Sequence, residues 1–178
     1  SFITTNPEVL KFSKKNNKCI HFFMTPVDKN IECFDVFNMS PKKDLFYAMS
    51  HGVNRAVLKS GTEDSRVEFL DKLVKKIPNI KYDFYGFSNK QPIWGKDFNN
   101  SLINSKMGLN LSRGYPTKYY SSNRIASILG NGLLTFVDKK TQFDDFFKND
   151  EVIFYNNVND LASKIKFYCK NDKLRKKI

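Results

Sequence analysis

Cysteine, histidine and tryptophan are scarce in this chain of 178 residues. The three cysteines, Cys19, Cys33 and Cys169, are odd in number and far apart, which predicts neither a disulfide framework nor a zinc site. We expect them to be inert, partly buried thiols in a reducing compartment. The two histidines, His21 and His51, are too few and too separated for a metal centre, so we expect none.

Long apolar runs are also missing from the sequence. No stretch approaches the roughly 18 residues that a helix needs to cross a bilayer. The longest runs, such as CIHFFM, have the length of a strand. The first residues do not follow the signal-peptide pattern of basic residues before an apolar segment. We therefore expect a cytoplasmic protein, with peripheral association with the inner membrane face as the alternative. No GxSxG, P-loop or GxGxxG motif occurs.

Positive charge, by contrast, is abundant, and nearly all of it is lysine. The formal net charge is +12, from 25 lysines and 5 arginines against 18 acidic residues. This charge favours an anionic partner, namely nucleic acid, a phosphorylated small molecule or an acidic membrane. The alternative is an AT-rich coding bias that places lysines on solvated helix faces. The few arginines are harder to explain by such a bias and are better guides to function.

Apolar segments of strand length alternate with segments of helical periodicity. Five strands are predicted, at 45–49, 80–86, 107–111, 133–137 and 152–155. Helices are predicted after a Thr62 cap, near 98–105, after Ser121 or Ser122, and at 142–147, 160–170 and 172–178. Gly132 is well placed to end the helix that follows Ser122. The pattern predicts an α/β fold, a Rossmann-like parallel sheet with helices on both faces. Ligands of such sheets bind beyond the carboxyl ends of the strands.

The loop SRGYPTKYYSSNR, residues 112–124, leaves the third predicted strand and enters a helix. Arg113, Lys118 and Arg124 place positive charge there, and arginine suits bidentate phosphate recognition. Short polar groups that can cap the helix or bond a phosphate follow at Ser121, Ser122 and Asn123. We predict a phosphate-binding loop; the alternative is an exposed polar loop whose tyrosines pack against neighbours.

Two other loops belong to the same predicted edge of the sheet. The first holds His51, Arg55 and Lys59 between two glycines, with Arg66 in the following helix, and is either a second basic cluster or a solvated loop. The other contains the only tryptophan, Trp94, in QPIWG. It borders a nucleobase or, alternatively, anchors the core.

These motifs resemble a known family. The segments AMSHG, YDFYG, PIWG, SKMGLNLSRG and KYYSSNRIASILGNGLLTFVD are similar to the C-terminal half of GT-B-fold glycosyltransferases of the CgeB-like, spore-maturation-protein type. The resemblance covers about residues 20 to 170 and is most specific from Ser105 to Asp138. It implies an inter-domain entry segment at 1–40 and a nucleotide-sugar-binding domain at 41–178.

The resemblance also implies a site for a nucleotide-diphosphate sugar, used as a substrate with no separate cofactor. The residues that we predict to bind the donor and its diphosphate are Arg55, Lys59, Arg113, Lys118, Tyr120, Ser121, Ser122, Asn123 and Arg124. The resemblance itself implies Arg55, Lys59, Ser122, Asn123 and Arg124. For the base we predict Gly86, Trp94 and Gly95. The catalytic residues and the acceptor are not indicated.

One position departs from the family pattern. Related enzymes carry a glutamate that holds the donor ribose five residues before the glycine matching Gly132, and this chain has Ser127 there. The family also uses an N-terminal acceptor domain that these residues do not include. We therefore expect the chain alone to bind a nucleotide without transferring sugar. The alternatives are a basic nucleic-acid-binding module that stacks bases on Tyr119 and Tyr120, and a degenerate, non-catalytic GT-B domain.

Overall fold

The computed structural model describes residues 2–11, 19–50 and 64–178. Two parallel sheets are present in these ranges. The small sheet pairs β1 with β2, and the large sheet contains five strands. The strands are β1 (Phe2–Thr4), β2 (Ile20–Phe22), β3 (Lys43–Ala48), β4 (Tyr82–Tyr85), β5 (Ser105–Asn110), β6 (Leu134–Asp138) and β7 (Ile153–Tyr155).

The five strands of the large sheet are the five that the sequence predicted, with ends shifted by at most two residues. They are recognisable because helices cover both faces of the sheet, so that each strand is an almost continuous apolar run. In β3, for example, Leu45, Phe46 and Tyr47 are all fully buried. The predicted α/β fold, a parallel sheet with helices on both faces, is therefore confirmed.

Helices α1 and α4 cover one face of the large sheet, and α2 and α3 cover the other. Their bounds are α1 (Ser65–Lys76), α2 (Gly95–Ile103), α3 (Arg124–Gly130) and α4 (Val158–Lys170), followed by the short α5 (Asp172–Arg175). The side chains of β3 alternate accordingly: Tyr47 packs with the α1 and α4 side, and Phe46 with the α2 and α3 side.

The strand order of the large sheet is β4-β3-β5-β6-β7. The chain therefore starts in the sheet at β3, moves to one side for β4 and then returns past β3 to β5. This is a doubly wound order with its reversal between β3 and β5, and ligands of such folds bind at the carboxyl ends of the strands that flank the reversal. The topology thus indicates one specific crevice, between the ends of β3 and β5.

A glycine brings α3 close to this crevice. A Cβ at Gly108 of β5 would lie within 3.0 Å of three side-chain carbons of Ile128 in α3. Only glycine leaves room for Ile128, which is fully buried against the sheet. The close approach places the first residue of α3, Arg124, beside the end of β5.

Several helix ends differ from the sequence-based expectations. Asp64, not Thr62, caps α1, and its side chain accepts a hydrogen bond from the Arg66 backbone N–H. Because Asp64 precedes the helix directly, its short carboxylate reaches the free amides of the first turn. The segment predicted as a helix at 142–147 forms only a 3-10 turn, Phe143–Asp145. Gly132, with φ of +77°, ends α3 as predicted, and its N–H donates to the Leu129 carbonyl.

The thiols are less buried than expected. Cys19 and Cys33 are exposed, whereas Cys169 is half-buried. Burial raises the pKa of the Cys169 thiol to about 12, which keeps it protonated and unreactive at neutral pH. Within the described ranges, no helix is both long and apolar enough to cross a membrane.

Candidate functional site

A cavity of about 600 Å³ opens at the carboxyl edge of the sheet, in the crevice between β3 and β5. Six residues that the sequence analysis proposed for the site line it: Trp94, Tyr120, Ser121, Ser122, Asn123 and Arg124. Ser127, on the first turn of α3, lines it as well, and Thr5 reaches it from the N-terminal segment. The second half of the loop 112–124 therefore forms one wall.

Arg124 donates hydrogen bonds to the backbone at the ends of both strands that flank the crevice. Its Nε donates to the Ala48 carbonyl at 2.7 Å, at the end of β3. Its Nη1 donates to the Leu111 carbonyl at 3.0 Å, directly after β5. The Nη2 amino group has no hydrogen-bond partner among the described residues. Arg124 thus uses part of its guanidinium to hold backbone and keeps donors available to the cavity it lines.

The positive charge of Arg124 lies in a partly enclosed environment. Its guanidinium carbon lies 4.6 Å from the centre of the Tyr47 ring, a cation–π geometry. Burial lowers the pKa of Arg124, the phenol of Tyr47 opposes this, and the like charge of Arg66 adds to the lowering. An arginine nevertheless stays protonated in proteins. The crevice therefore holds a permanent cation.

The serines that precede α3 do not cap it. Ser121 is buried, and its Oγ lies 3.0 Å from both Asn110 Oδ1 and the Ser122 carbonyl, which fixes the loop to β5. The buried Ser122 Oγ has no partner among the described residues. Asn123 occupies the cap position without a side-chain cap hydrogen bond. The predicted serine caps are thus wrong, because the chain already adopts helical angles at Asn123.

Trp94 lies at the mouth of the cavity. Its side chain is 67% exposed, so the interpretation of Trp94 as a core anchor is wrong. Phe98, one helical turn further along α2, lines the cavity beside it. Gly95 begins α2 with φ of +54°, a backbone angle that glycine adopts without strain. Gly86 makes the tight turn after β4, where its N–H donates to the Lys90 carbonyl, and neither glycine is among the cavity-lining residues.

The first half of the loop 112–124 does not line the cavity. Arg113 and Lys118 are exposed, and neither lines the cavity. The Lys118 amine lies 4.5 Å from the centre of the Tyr119 ring. Its interaction with Tyr119 is the main cause that raises the pKa of Lys118. Tyr119 itself packs against Phe22 and Phe146. The predicted phosphate loop is therefore divided, and only its second half reaches the crevice.

Arg55 and Lys59 lie outside the described residues, as do His51 and the glycines around them. Their part in the site stays a prediction. The sequence pattern gave no sign of the contacts that Tyr47 and Asp64 make behind the cavity wall. Tyr47 has the pattern of an ordinary apolar strand position, and the sequence places Arg66 only after the first basic loop. The available signal was that Arg66 is one of just five arginines.

Fold and cavity together define a doubly wound α/β domain with a cationic crevice at its strand-order reversal. A family model described as glycosyl transferase-like matches residues 65–178, more than half of the chain. The chain belongs to this glycosyl transferase-like family. A search of curated proteins found no match.

Proposed function

We propose that this chain is the donor-binding half of a GT-B-fold glycosyltransferase of the CgeB-like type, and that the crevice binds a nucleotide-diphosphate sugar. The single observation that carries the proposal is the charge of the cavity wall. Arg124 is the one charged side chain among the described lining residues, and no carboxylate accompanies it there. Such a wall favours an anion, and a guanidinium suits phosphate oxygens better than an ammonium group does.

The shape and position of the cavity support the same ligand class. Its volume of about 600 Å³ falls within the usual size of ligand pockets, roughly 300–1,000 Å³. It also lies where doubly wound sheets bind nucleotides. A diphosphate placed beside Arg124 would share the cavity with Ser121, Ser122 and Ser127, which also line it.

The aromatic side of the cavity suits the rest of a nucleotide. Trp94, Phe98 and Tyr120 all line it, so a planar base or the face of a sugar can stack there. The exposed ring of Trp94 at the mouth is the group we assign to the base. Ser127, at the position of the family glutamate, offers the ribose one hydroxyl in place of a carboxylate.

The chemistry of transfer needs more than this wall provides. An acceptor hydroxyl must be held in line with the donor carbon, usually with a base within about 3 Å. We assign no catalytic base among the described residues. We therefore propose that the acceptor groups come from a second domain, and that the 178-residue chain by itself binds the donor without forming a glycosylated product.

The nucleic-acid alternative loses one of its predicted contacts. It requires Tyr119 and Tyr120 as neighbouring stacking platforms. The Tyr119 ring is packed against Phe22 and Phe146, and its hydroxyl donates to Asp145 at 2.5 Å. Only Tyr120 remains at the cavity.

A thermal-shift screen of UDP, GDP, ADP, CDP and dTDP tests the proposal, with calorimetry for any diphosphate that stabilises the chain. A ligand at 100 times its dissociation constant should raise the free energy of unfolding by about 2.7 kcal/mol. A short single-stranded oligonucleotide, at matched phosphate concentration, is the control. Saturable binding of one diphosphate with the oligonucleotide inactive supports a donor site. No stabilisation by any diphosphate, or stronger stabilisation by the oligonucleotide, contradicts it.

A further inference from the structure

Tyr47 lies at the centre of a buried polar network beneath the crevice. It is fully buried at the end of β3, and its hydroxyl donates to the Leu111 carbonyl at 3.0 Å. The same carbonyl accepts Nη1 of Arg124, while the Tyr47 ring lies under the guanidinium. Tyr47 therefore contacts Arg124 directly through its ring and indirectly through a shared acceptor.

The other side of the network comes from the start of α1. Asp64 caps the helix and also accepts Nε of Arg66 at 2.9 Å, and both side chains are buried. Burial lowers the pKa of Arg66, but the hydrogen bond with Asp64 and the interactions with Tyr47 more than offset this, so that its pKa lies above its ordinary value. The phenol of Tyr47 is among the causes that raise the pKa of Arg66, so Arg66 lies beside Tyr47. The hydroxyl thus donates to the Leu111 carbonyl with Arg66 beside the phenol, and the donated bond fixes its orientation.

We propose that Tyr47 is a positioning residue for Arg124, held in place by the pair Asp64 and Arg66. This inference rests on the proposed function, because its purpose is to aim the free donors of Arg124 at a bound phosphate. A guanidinium held by two carbonyls and one aromatic face has little freedom to turn. A phosphate that meets it in this orientation does not have to order a flexible side chain, and preorganisation of this kind increases affinity.

Arginine and lysine differ in a way that makes the proposal testable. Only a planar guanidinium can bridge two carbonyls, lie flat on a ring and still present donors to a ligand. A lysine ammonium group in its place keeps the charge, but it cannot lie on the Tyr47 ring and donate to the Leu111 carbonyl in the way that a planar guanidinium does. The contribution of the Tyr47 hydroxyl to diphosphate affinity should therefore depend on whether arginine or lysine occupies position 124.

A double-mutant cycle measures this dependence, with affinity for the diphosphate selected by the screen as the readout. Tyr47→Phe keeps the ring and removes the hydroxyl, and should weaken binding about three- to tenfold, the size of one neutral hydrogen bond. In the Arg124→Lys background the same change should weaken binding by less than about twofold. Equal losses in both backgrounds, or no loss with arginine present, overturn the proposal. If the parent chain binds no diphosphate, the proposed function itself fails.

Tyr85→Phe is the matched control, because Tyr85 ends the neighbouring strand β4 and does not line the cavity. Its hydroxyl accepts from Ser101 Oγ at 2.8 Å, so the variant loses one hydrogen bond without contacting Arg124. Its diphosphate affinity should be unchanged.

If Tyr47→Phe lowers stability too far for binding measurements, arginine-selective ¹⁵N labelling of the unligated chain replaces them. The five arginines give a spectrum that single substitutions can assign. We expect the Nε–H of Arg124 to be protected from solvent exchange in the parent chain and to lose that protection in a milder variant, Arg66→Lys. Unprotected Nε–H in the parent chain, or protection that survives the variant, overturns the proposal.

Discussion

Two arginines bind opposite ends of strand β5, and they are not equivalent. At the carboxyl edge, Arg124 donates to the Leu111 carbonyl. At the amino edge, Arg175 donates to the Lys106 carbonyl at 3.3 Å, and its Nε also donates to Asp172 at 2.9 Å. Arg175 is paired with a carboxylate, whereas no carboxylate contacts Arg124 among the described residues. The comparison teaches that the charge of one arginine is neutralised by a neighbouring carboxylate, whereas the charge of the other is left for the proposed ligand.

The largest expected effect is on nucleotide affinity, and it separates the two arginines. Arg124→Ala should weaken diphosphate binding by about 1.5–3 kcal/mol, the range for hydrogen bonds to charged groups. Arg124→Lys should recover only part of this loss, because the planar fork is absent. Calorimetry on folded variants measures both. Arg175→Ala is the control, since it removes a buried arginine remote from the crevice and should lower stability while leaving affinity unchanged.

The close approach of α3 to β5, which positions Arg124, can be disrupted by a substitution at Gly108. Gly108→Ala places a methyl group against Ile128 and should lower the free energy of unfolding by about 1–3 kcal/mol through overpacking. Urea denaturation measures the change. In the Ile128→Ala background the clashing atoms are gone, so the same substitution should cost little. An equal cost in both backgrounds would show that the strain arises elsewhere.

Ser127→Glu gives the carboxyl edge the carboxylate that the amino edge already has. If the ribose lies beside position 127, the new carboxylate can accept its hydroxyls, and affinity for a ribonucleoside diphosphate should increase about threefold, the effect of one modest hydrogen bond. Competition binding against the 2′-deoxy analogue, with Ser127→Gln as the uncharged control, measures the gain. A fall in affinity would mean that the glutamate pairs with Arg124 or repels the phosphates.

The smallest expected effect is the pH dependence of the stability that Asp172 contributes at the amino edge of the sheet. The Arg175 hydrogen bond is the main cause that holds the pKa of Asp172 below its usual range. A carboxyl with a lowered folded-state pKa stabilises the protein above its unfolded-state pKa, about 3.9, and this stabilisation is lost as the pH falls through the folded-state value. Because Asp172 is half-exposed, we expect less than about 1 kcal/mol.

Denaturation curves between neutral and acidic pH measure this contribution. Asp172→Asn should be less stable than the parent chain near neutral pH, and the difference should shrink as the pH falls. Asp144→Asn, at an exposed aspartate, is the control and should show no such convergence. A constant difference for Asp172→Asn across the whole range would contradict the assignment.

The strands and the sheet edge at which the cavity opens could be predicted from the sequence, because both follow from patterns along the chain. Strands buried on both faces are apolar runs, and the carboxyl ends of parallel strands share an edge. The direction of a side chain depends on contacts that the pattern does not contain. Tyr119, with φ of +58°, illustrates this, since it lies at the division between Lys118, which points away from the cavity, and the lining residue Tyr120.

The contacts of Arg124 are a second limit of prediction. Its charge and its place before a helix are visible in the sequence, but its hydrogen bonds to Ala48 and Leu111 are not, because those partners are backbone carbonyls that any residue type would supply. Tyr47 was missed for a related reason. An aromatic residue in a buried strand is typical of a core, and nothing in the pattern reveals that its hydroxyl has a partner.

The two hydrogen bonds that Arg124 makes to backbone carbonyls also bear on how the native chain opens. A side chain fixed to the ends of both β3 and β5 prevents α3 from detaching unless both contacts break. We expect α3 and the carboxyl halves of these two strands to exchange their amide hydrogens as one cooperative unit. The residues that form the crevice wall would then unfold and refold together. A single local unfolding equilibrium would therefore set the fraction of protein whose crevice is intact.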